Sequence, residues 1–98
     1  MTFKQIHAVR IANNILALLD SDYKNMLSLF ECVKTGAIQI NRAKREIRVI
    51  AEHFDRYYEI LCKIGDSRYL SSPELVEIVG KSRSLFNACC EMCRLAFN

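Results

Sequence analysis

The sequence predicts an all-α protein, an antiparallel bundle of about four helices that forms one domain over residues 1–98. The chain contains three glycines and one proline, which leaves few turn positions and favours a handful of long elements. Two long runs of apolar residues recur at alternating spacings of three and four, the heptad pattern of packed helices. No stretch alternates apolar and polar residues in the way a half-buried strand would.

The first two helices are predicted over residues 3–19 and 22–34. Thr2 and Gln5 fit a capping box, in which each side chain satisfies a backbone N–H of the other residue. The "DSD" of Asp20–Asp22 is predicted to end the first helix and to cap the second. Gly36 can then close the second helix in the left-handed conformation. The residues predicted to be buried along the two helices are Ala8, Ile11, Ala12, Ile15, Leu18 and Leu19, then Tyr23, Met26, Leu27, Phe30 and Val33.

The third and fourth helices, over residues 38–64 and 73–97, each carry a heptad seam. The third is predicted to be one straight rod closed by Gly65, whereas Gly80 inside the fourth can kink it. Ser72 and Pro73 fit the cap and the first position of the fourth helix. The seams serve either an intrachain bundle or a partner subunit. We expect a homodimer, because two wide seams exceed what one small core needs. The seam residues are Ile40, Ala43, Ile47, Ile50, Phe54, Tyr57, Leu61 and Ile64, then Leu75, Val79, Ser82, Phe86, Cys89, Cys93 and Ala96.

Charge and cysteine usage narrow the class of partner and the compartment. A net charge of +3 is too mild to indicate nucleic acid by itself. No uncharged apolar run approaches the roughly 20 residues of a membrane span, and the first residues do not read as a signal peptide. The five cysteines are odd in number and lack the spacing of a disulfide framework, so we expect free thiols in a reducing cytoplasm.

A basic cluster opens the third helix. Arg42, Arg45 and Arg48 share its outer face on the heptad wheel, and Lys44 lies on the flank. Cations near the positive end of a helix dipole are disfavoured, so helix stability does not explain them. The cluster is either a solvated face or a socket for an acidic protein surface or a phosphate backbone.

The linker between the third and fourth helices offers a second candidate contact. It contains Arg68 and Tyr69, and arginine and aromatic side chains are the residue types that anchor interfaces.

The segment "RVIAEH" places Arg48 five residues before His53. This spacing resembles the R-x(4–6)-H motif of HEPN-type ribonucleases, compact helical proteins that often form homodimers. The resemblance implies metal-independent RNA cleavage at a subunit interface, with His53 in proton transfer and Arg48 stabilising phosphate charge. Five residues on a straight helix point about 140° apart, so a second subunit or a bent helix would have to bring the two side chains together.

The segment "ACCEMC" contains a C-x-x-C pattern, formed by Cys90 and Cys93 beside Cys89. A tetrahedral zinc needs four ligands, and no further cysteine or histidine occurs in this helix. Reduced cysteine behaves as a small hydrophobe, so Cys89 and Cys93 are predicted to pack in the core. Cys32 and Cys62 would complete a metal site only if the fold brought them to this helix, and we expect neither a metal nor a cofactor.

These observations favour a small protein-interaction module, an adaptor or inhibitor, over an enzyme. It would dock on an acidic protein through the basic face of the third helix and occlude that surface. Compact regulators of this kind recur among phage and mobile-element proteins that block a host enzyme. The alternatives are the homodimeric HEPN-like ribonuclease and a nucleic-acid-binding regulator.

Overall fold

The structure, a computed structural model, describes residues 1–97 and arranges four helical segments as three rods, each antiparallel to the next along the chain. The first rod is α1 (Phe3–Lys34), the second is α2 (Ile40–Ala51) followed by α3 (Phe54–Asp66), and the third is α4 (Pro73–Phe97). No strand occurs within residues 1–97, so the all-α class is confirmed. The division into four separate helices is not, because two predicted helices merge and a third is bent.

The first rod runs without interruption through the segment that was expected to divide it. α1 begins with the predicted capping box, in which Thr2 Oγ1 accepts from the Gln5 N–H at 3.2 Å and Gln5 Oε1 accepts from the Thr2 N–H at 2.8 Å. The predicted break at Asp20–Asp22 is wrong. Polar residues inside a helix cost less than about 0.7 kcal/mol each, whereas burying one large apolar side chain contributes about 1.5–3 kcal/mol. Leu19 and Met26 lie on either side of the "DSD" and are both fully buried, so continuing the helix is favoured.

α1 ends where the sequence predicts it to end. Gly36 has φ +79°, the left-handed conformation expected of it. The N–H of Ala37 donates to the Cys32 carbonyl at 2.8 Å, and the N–H of Gly36 donates to the Val33 carbonyl at 3.1 Å. This Schellman motif reverses the chain and sets the start of α2 beside the end of α1.

The second rod bends at Glu52 and His53, so the prediction of one straight helix over residues 38–64 is wrong. His53 caps α3 with φ −94° and ψ −5°, and its carbonyl accepts from the Tyr57 N–H at 3.1 Å. No glycine or proline marks the bend. α2 packs against both α1 and α4, whereas α3 packs mainly on α4, and the axis turns between these two environments. Ile47 before the bend and Phe54 after it both stay buried.

The third rod is one continuous helix. Ser72 Oγ accepts from the Leu75 N–H at 3.1 Å, and Pro73 is the first helical residue, both as predicted. α4 passes through Gly80 without a break. α4 runs parallel to α1. The Gln5 side chain donates to the Ser71 carbonyl where both helices start, and the far half of α4 packs on the later turns of α1.

Both heptad seams turn into the core of the chain itself. Ile40, at the first turn of α2, is the exception and is 57% exposed. Leu18 and Leu27, predicted to be buried, are nearly half exposed, because the interior of α1 follows a narrower stripe. Within residues 1–97, the helices are all too short or too polar to cross a membrane. The buried hydrophobic residues are Ala8, Val9, Ala12, Ile15, Leu19, Met26, Ala43, Ile47, Phe54, Leu61, Ile64, Leu75, Ile78, Val79, Cys89 and Met92.

Candidate functional site

The basic face of α2, which we define as Arg42, Lys44, Arg45 and Arg48, points away from the core. The three arginines are exposed and Lys44 is half-buried, as the heptad wheel predicts. Within residues 1–97, the face makes one ion pair, between Arg42 Nε and Glu46 Oε1 at 3.5 Å. Ala43 and Ile47 hold the opposite side of the helix in the core. Three of the four cations therefore have no carboxylate of this chain against them in the part of the molecule that is described.

The exposed side chain of Arg48 lies against the end of α4. Its guanidinium carbon lies 4.9 Å from the centroid of the Phe97 ring, a cation–π distance. Phe97 is still 38% exposed beneath it. The contact holds one positive charge beside an apolar surface, where the field of that charge is less screened than in bulk water.

An apolar pocket opens next to this contact, where the end of α1, the start of α2 and the end of α4 meet. We call it the end pocket. Its volume is about 90 Å³. It exists because two small residues, Ala43 and Ala96, occupy seam positions where larger side chains would fill the space. Ile40 and Leu95 form its rim and are 57% and 60% exposed. The lining residues are Phe30, Val33, Ile40, Ala43, Lys44, Ile47, Leu95 and Ala96.

The structure does not bring Arg68 and Tyr69 to this surface. Both are exposed, and Tyr69 is 88% accessible to solvent. They lie in the loop before α4, which Gln5 ties to the start of α1 through its bond to the Ser71 carbonyl at 3.1 Å. The 32 residues of α1 span about 48 Å, so this loop and the basic face occupy opposite ends of the molecule.

Arg48 and His53 contact different neighbours. The guanidinium of Arg48 lies on Phe97, whereas the His53 ring is exposed at the bend, with its centroid 6.2 Å from that of Tyr57. The bend that the ribonuclease hypothesis requires is present. It does not join the two side chains through a common contact within one chain.

A second polar cluster, which sequence reasoning missed, lies where α1 faces the bend. Asp22 occupies a seam position of α1, and its Oδ2 atom is enclosed without a hydrogen-bond partner. Burial raises the pKa of the Asp22 carboxyl, and the charge of nearby His53 opposes part of that rise. Burial and then the charge of Asp22 raise the pKa of Tyr57.

The sequence did contain a signal for this cluster. The spacings 4,3,4,3,4 continue through Asp22 along the series Ala8, Ala12, Ile15, Leu19, Asp22 and Met26. An uninterrupted heptad across an apparent cap indicates that the helix continues.

Cys89 packs in the core beside this cluster, and Cys90 and Cys93 are half-buried against the same core. Cys89 is fully buried, and its Sγ lies 3.7 Å from the Leu19 carbonyl oxygen. Burial, with smaller effects from Asp22, Cys90 and Cys93, raises the pKa of the Cys89 thiol to about 12. Burial also raises the pKa of Cys90 and of Cys93. These thiols are therefore protonated near neutral pH, which makes them weak nucleophiles and weak metal ligands. No group of three or more metal-ligating side chains occurs among residues 1–97.

The fold and the site together define an all-helical, three-rod bundle with a basic, partly apolar end. Comparison of the chain with protein-family models, with curated proteins and with solved structures found no match.

Proposed function

We propose that this protein is an interaction module that docks on an acidic protein surface through the basic face of α2 and acts by occluding that surface. The observation that carries the proposal is the exposure of Arg45 and Arg48, without an ion-pair partner within residues 1–97, next to uncovered apolar residues. Exposed cations on a rigid helix attract an acidic partner from a distance and orient it. Apolar surface beside them supplies affinity once water is expelled.

The shape of the molecule supports a role in binding. The chain extends 51 × 18 × 16 Å, and its radius of gyration is 15.6 Å against about 13 Å for a compact domain of this length. Its accessible surface is 6716 Å², whereas a globular protein of 11.3 kDa exposes about 5,700 Å². The bundle therefore presents more surface than its mass requires.

Affinity capture with matched charge variants tests the proposal. The docking variant carries Arg45→Glu and Arg48→Glu, and the control carries Lys4→Glu and Arg10→Glu on exposed positions of α1, with the same change in net charge. From a lysate of the source cells, the wild type and the control should recover one stoichiometric acidic partner that the docking variant loses. Equal recovery by all three proteins, or no partner at all, would contradict the proposal.

The homodimer and the cytoplasmic location belong to the same proposal. Because both seams are used inside the chain, a dimer would have to form through other surfaces, and light scattering on the purified protein measures it directly. The five free thiols suit a reducing compartment, where they stay unpaired.

The second candidate is the HEPN-like ribonuclease, and the bend at His53 is the observation that favours it. In that case two subunits would bring Arg48 of one chain toward His53 of the other. Purified protein should then cleave RNA in the presence of chelator, and His53→Ala should abolish the cleavage. A third candidate, a nucleic-acid-binding regulator, predicts a salt-dependent affinity for DNA or RNA that weakens when Arg42, Arg45 and Arg48 are neutralised.

A further inference from the structure

The size of the end pocket indicates what it can hold. Its volume is about 90 Å³, and its lining is apolar apart from Lys44. An apolar protein cavity of about 150 Å³ accommodates benzene, so by proportion this one holds about four carbon atoms. That is the size of one leucine, isoleucine or valine side chain. The open rim formed by Ile40 and Leu95 lets such a side chain enter from outside.

The charges around the pocket are positive. Lys44 is part of the lining, and Arg48, four residues later on the same side of α2, is held beside the pocket by Phe97. Lys34, in the last turn of α1, follows Phe30 by four residues and therefore lies on the same side of α1. These cations form no ion pair within residues 1–97.

The carboxylates nearest in sequence do not neutralise this rim. Glu46 pairs with Arg42 on the side of α2 that faces away from the pocket, and Glu91 pairs with Arg94 on α4. Glu31 points about 130° away from the line between Phe30 and Val33, the two α1 residues of the lining. The rim therefore complements negative charge.

The chemistry of the site selects a peptide over the other possible occupants. Nucleic acids without sequence preference bind on open aromatic faces along a basic groove, whereas here Phe30 is a half-buried part of the pocket lining and Arg48 lies over the Phe97 ring. A second copy placed symmetrically on this end would bring its basic patch close to the basic patch formed by Lys44 and Arg48, and that like-charge contact opposes association.

We infer that the end pocket receives one branched aliphatic side chain of an acidic peptide segment, with the flanking carboxylates of that segment on Lys44, Arg48 and Lys34. This inference rests on the proposed docking function and specifies the chemistry of the partner. This aliphatic side chain, the anchor, supplies affinity because it leaves water, and the carboxylates set the orientation of the peptide. Replacing the anchor by alanine should weaken binding by about tenfold to a hundredfold.

Selection from a phage-displayed library of random 16-residue peptides on the immobilised full chain tests the inference. The selected sequences should share one leucine, isoleucine or valine with aspartate or glutamate within four residues. Synthetic peptides from the selection should lose about tenfold or more in affinity, measured by fluorescence anisotropy, when that residue becomes alanine or when Lys44→Glu is introduced. Lys4→Glu, at the other end of α1, should leave the affinity unchanged.

Filling the pocket provides the second arm of the test. Ala96→Leu extends a half-buried side chain into the pocket from α4, and Ala43→Leu extends a side chain into it from α2. If circular dichroism shows that one variant does not fold, the other still tests the inference. Each folded variant should abolish peptide binding. Selection of no peptides, a consensus without acidic residues, or full binding by the filled variants would overturn the inference. The inference would also be overturned if RNA at low salt displaced the bound peptide while free peptide did not.

The outcomes separate this inference from the proposed function. If the docking variant loses the captured partner but Ala96→Leu retains it, the basic face docks and the end pocket does not. If both retain it, both proposals fail together.

Discussion

Asp22→Asn retains the size of the side chain and removes a negative charge from the inner seam of α1. In the wild type the Oδ2 atom of this carboxyl is enclosed and has no donor within hydrogen-bond distance. A buried acceptor without a partner costs about 1–3 kcal/mol, and a charged one costs more. Asparagine also leaves a polar atom without a partner at this position, so the gain comes only from removing the charge. Because Asp22 is only half-buried and His53 attracts it, we take about 1 kcal/mol for this part of the cost.

The expected gain is measurable at neutral pH. For a domain of about 100 residues, 1 kcal/mol raises Tm by about 4–8 °C. Urea denaturation at pH 7 should therefore show a higher free energy of unfolding for Asp22→Asn than for the wild type. Asp20→Asn is the matched control, since Asp20 is exposed and pairs with Lys24 at 2.9 Å, and its loss should change stability by less than about 0.5 kcal/mol in the unfavourable direction.

The gain should depend on pH. Burial raises the folded pKa of Asp22 above its ordinary value of 3.8, so the folded state binds this proton more tightly than the unfolded state does. The resulting stability of the wild type is fully present below pH 3.8 and is lost as pH rises through the folded pKa. Asparagine does not titrate, so its advantage over the wild type should be largest near pH 7 and should shrink as pH falls toward 3.8.

Comparing the two proteins at each pH cancels the acid sensitivity of every other group. If Asp22→Asn is less stable than the wild type at pH 7, then Asp22 has a partner in solution and the argument from an unsatisfied seam carboxyl is refuted. An advantage that stays constant from pH 7 to pH 4 would show that the effect does not arise from ionisation.

Further predictions address the other features of the bundle. A double-mutant cycle of Arg48→Ala and Phe97→Ala, measured by urea denaturation, should give a coupling energy between the two side chains of about 0.5–1 kcal/mol. A coupling energy of zero would show that the cation–π contact does not stabilise the protein. Cys89, whose pKa is raised to about 12, should react with a thiol reagent at pH 8 only on unfolding, so early labelling found at this position by mass spectrometry would argue against its burial. The same raised pKa makes wild-type stability fall as pH rises from about 9 toward 12, and Cys89→Ala should flatten that part of the profile. Gly80→Ala should stabilise the protein by about 1 kcal/mol, because Gly80 lies inside a helix and an added Cβ meets no atom within 4 Å. Gly36→Ala should destabilise it by a similar amount, because φ of Gly36 is +79°. Thermal melts in which both variants shift Tm in the same direction would contradict this pair of predictions.

The predictions of helix ends that the structure confirms depend on a few neighbouring residues each. The capping box at Thr2, the left-handed Gly36 and the cap at Ser72 each depend on contacts within about five positions. The outward direction of the basic face followed from the 3.6-residue period alone. These features were predictable because no distant part of the chain takes part in them.

The predictions that were wrong concern features that depend on what packs on both sides of a segment. The "DSD" looks like a cap locally, yet α1 continues because Leu19 and Met26 bury against the same α4. The seam of the second rod has no local breaker, yet the rod bends because α2 and α3 pack against different neighbours.

The sequence by itself determined the helical class, the ends of α1 and the start of α4, and the exposure of Arg42, Arg45 and Arg48. Only the tertiary structure decided the number of rods, the packing of both seams within the chain, the bend at His53 and the distance between the basic face and Tyr69. It also decided the opening of a pocket where Ala43 and Ala96 meet. The physical reason is one of range: caps and periodicity are settled within a turn or two of helix, whereas voids, bends and desolvated charges depend on which residues from distant segments pack together.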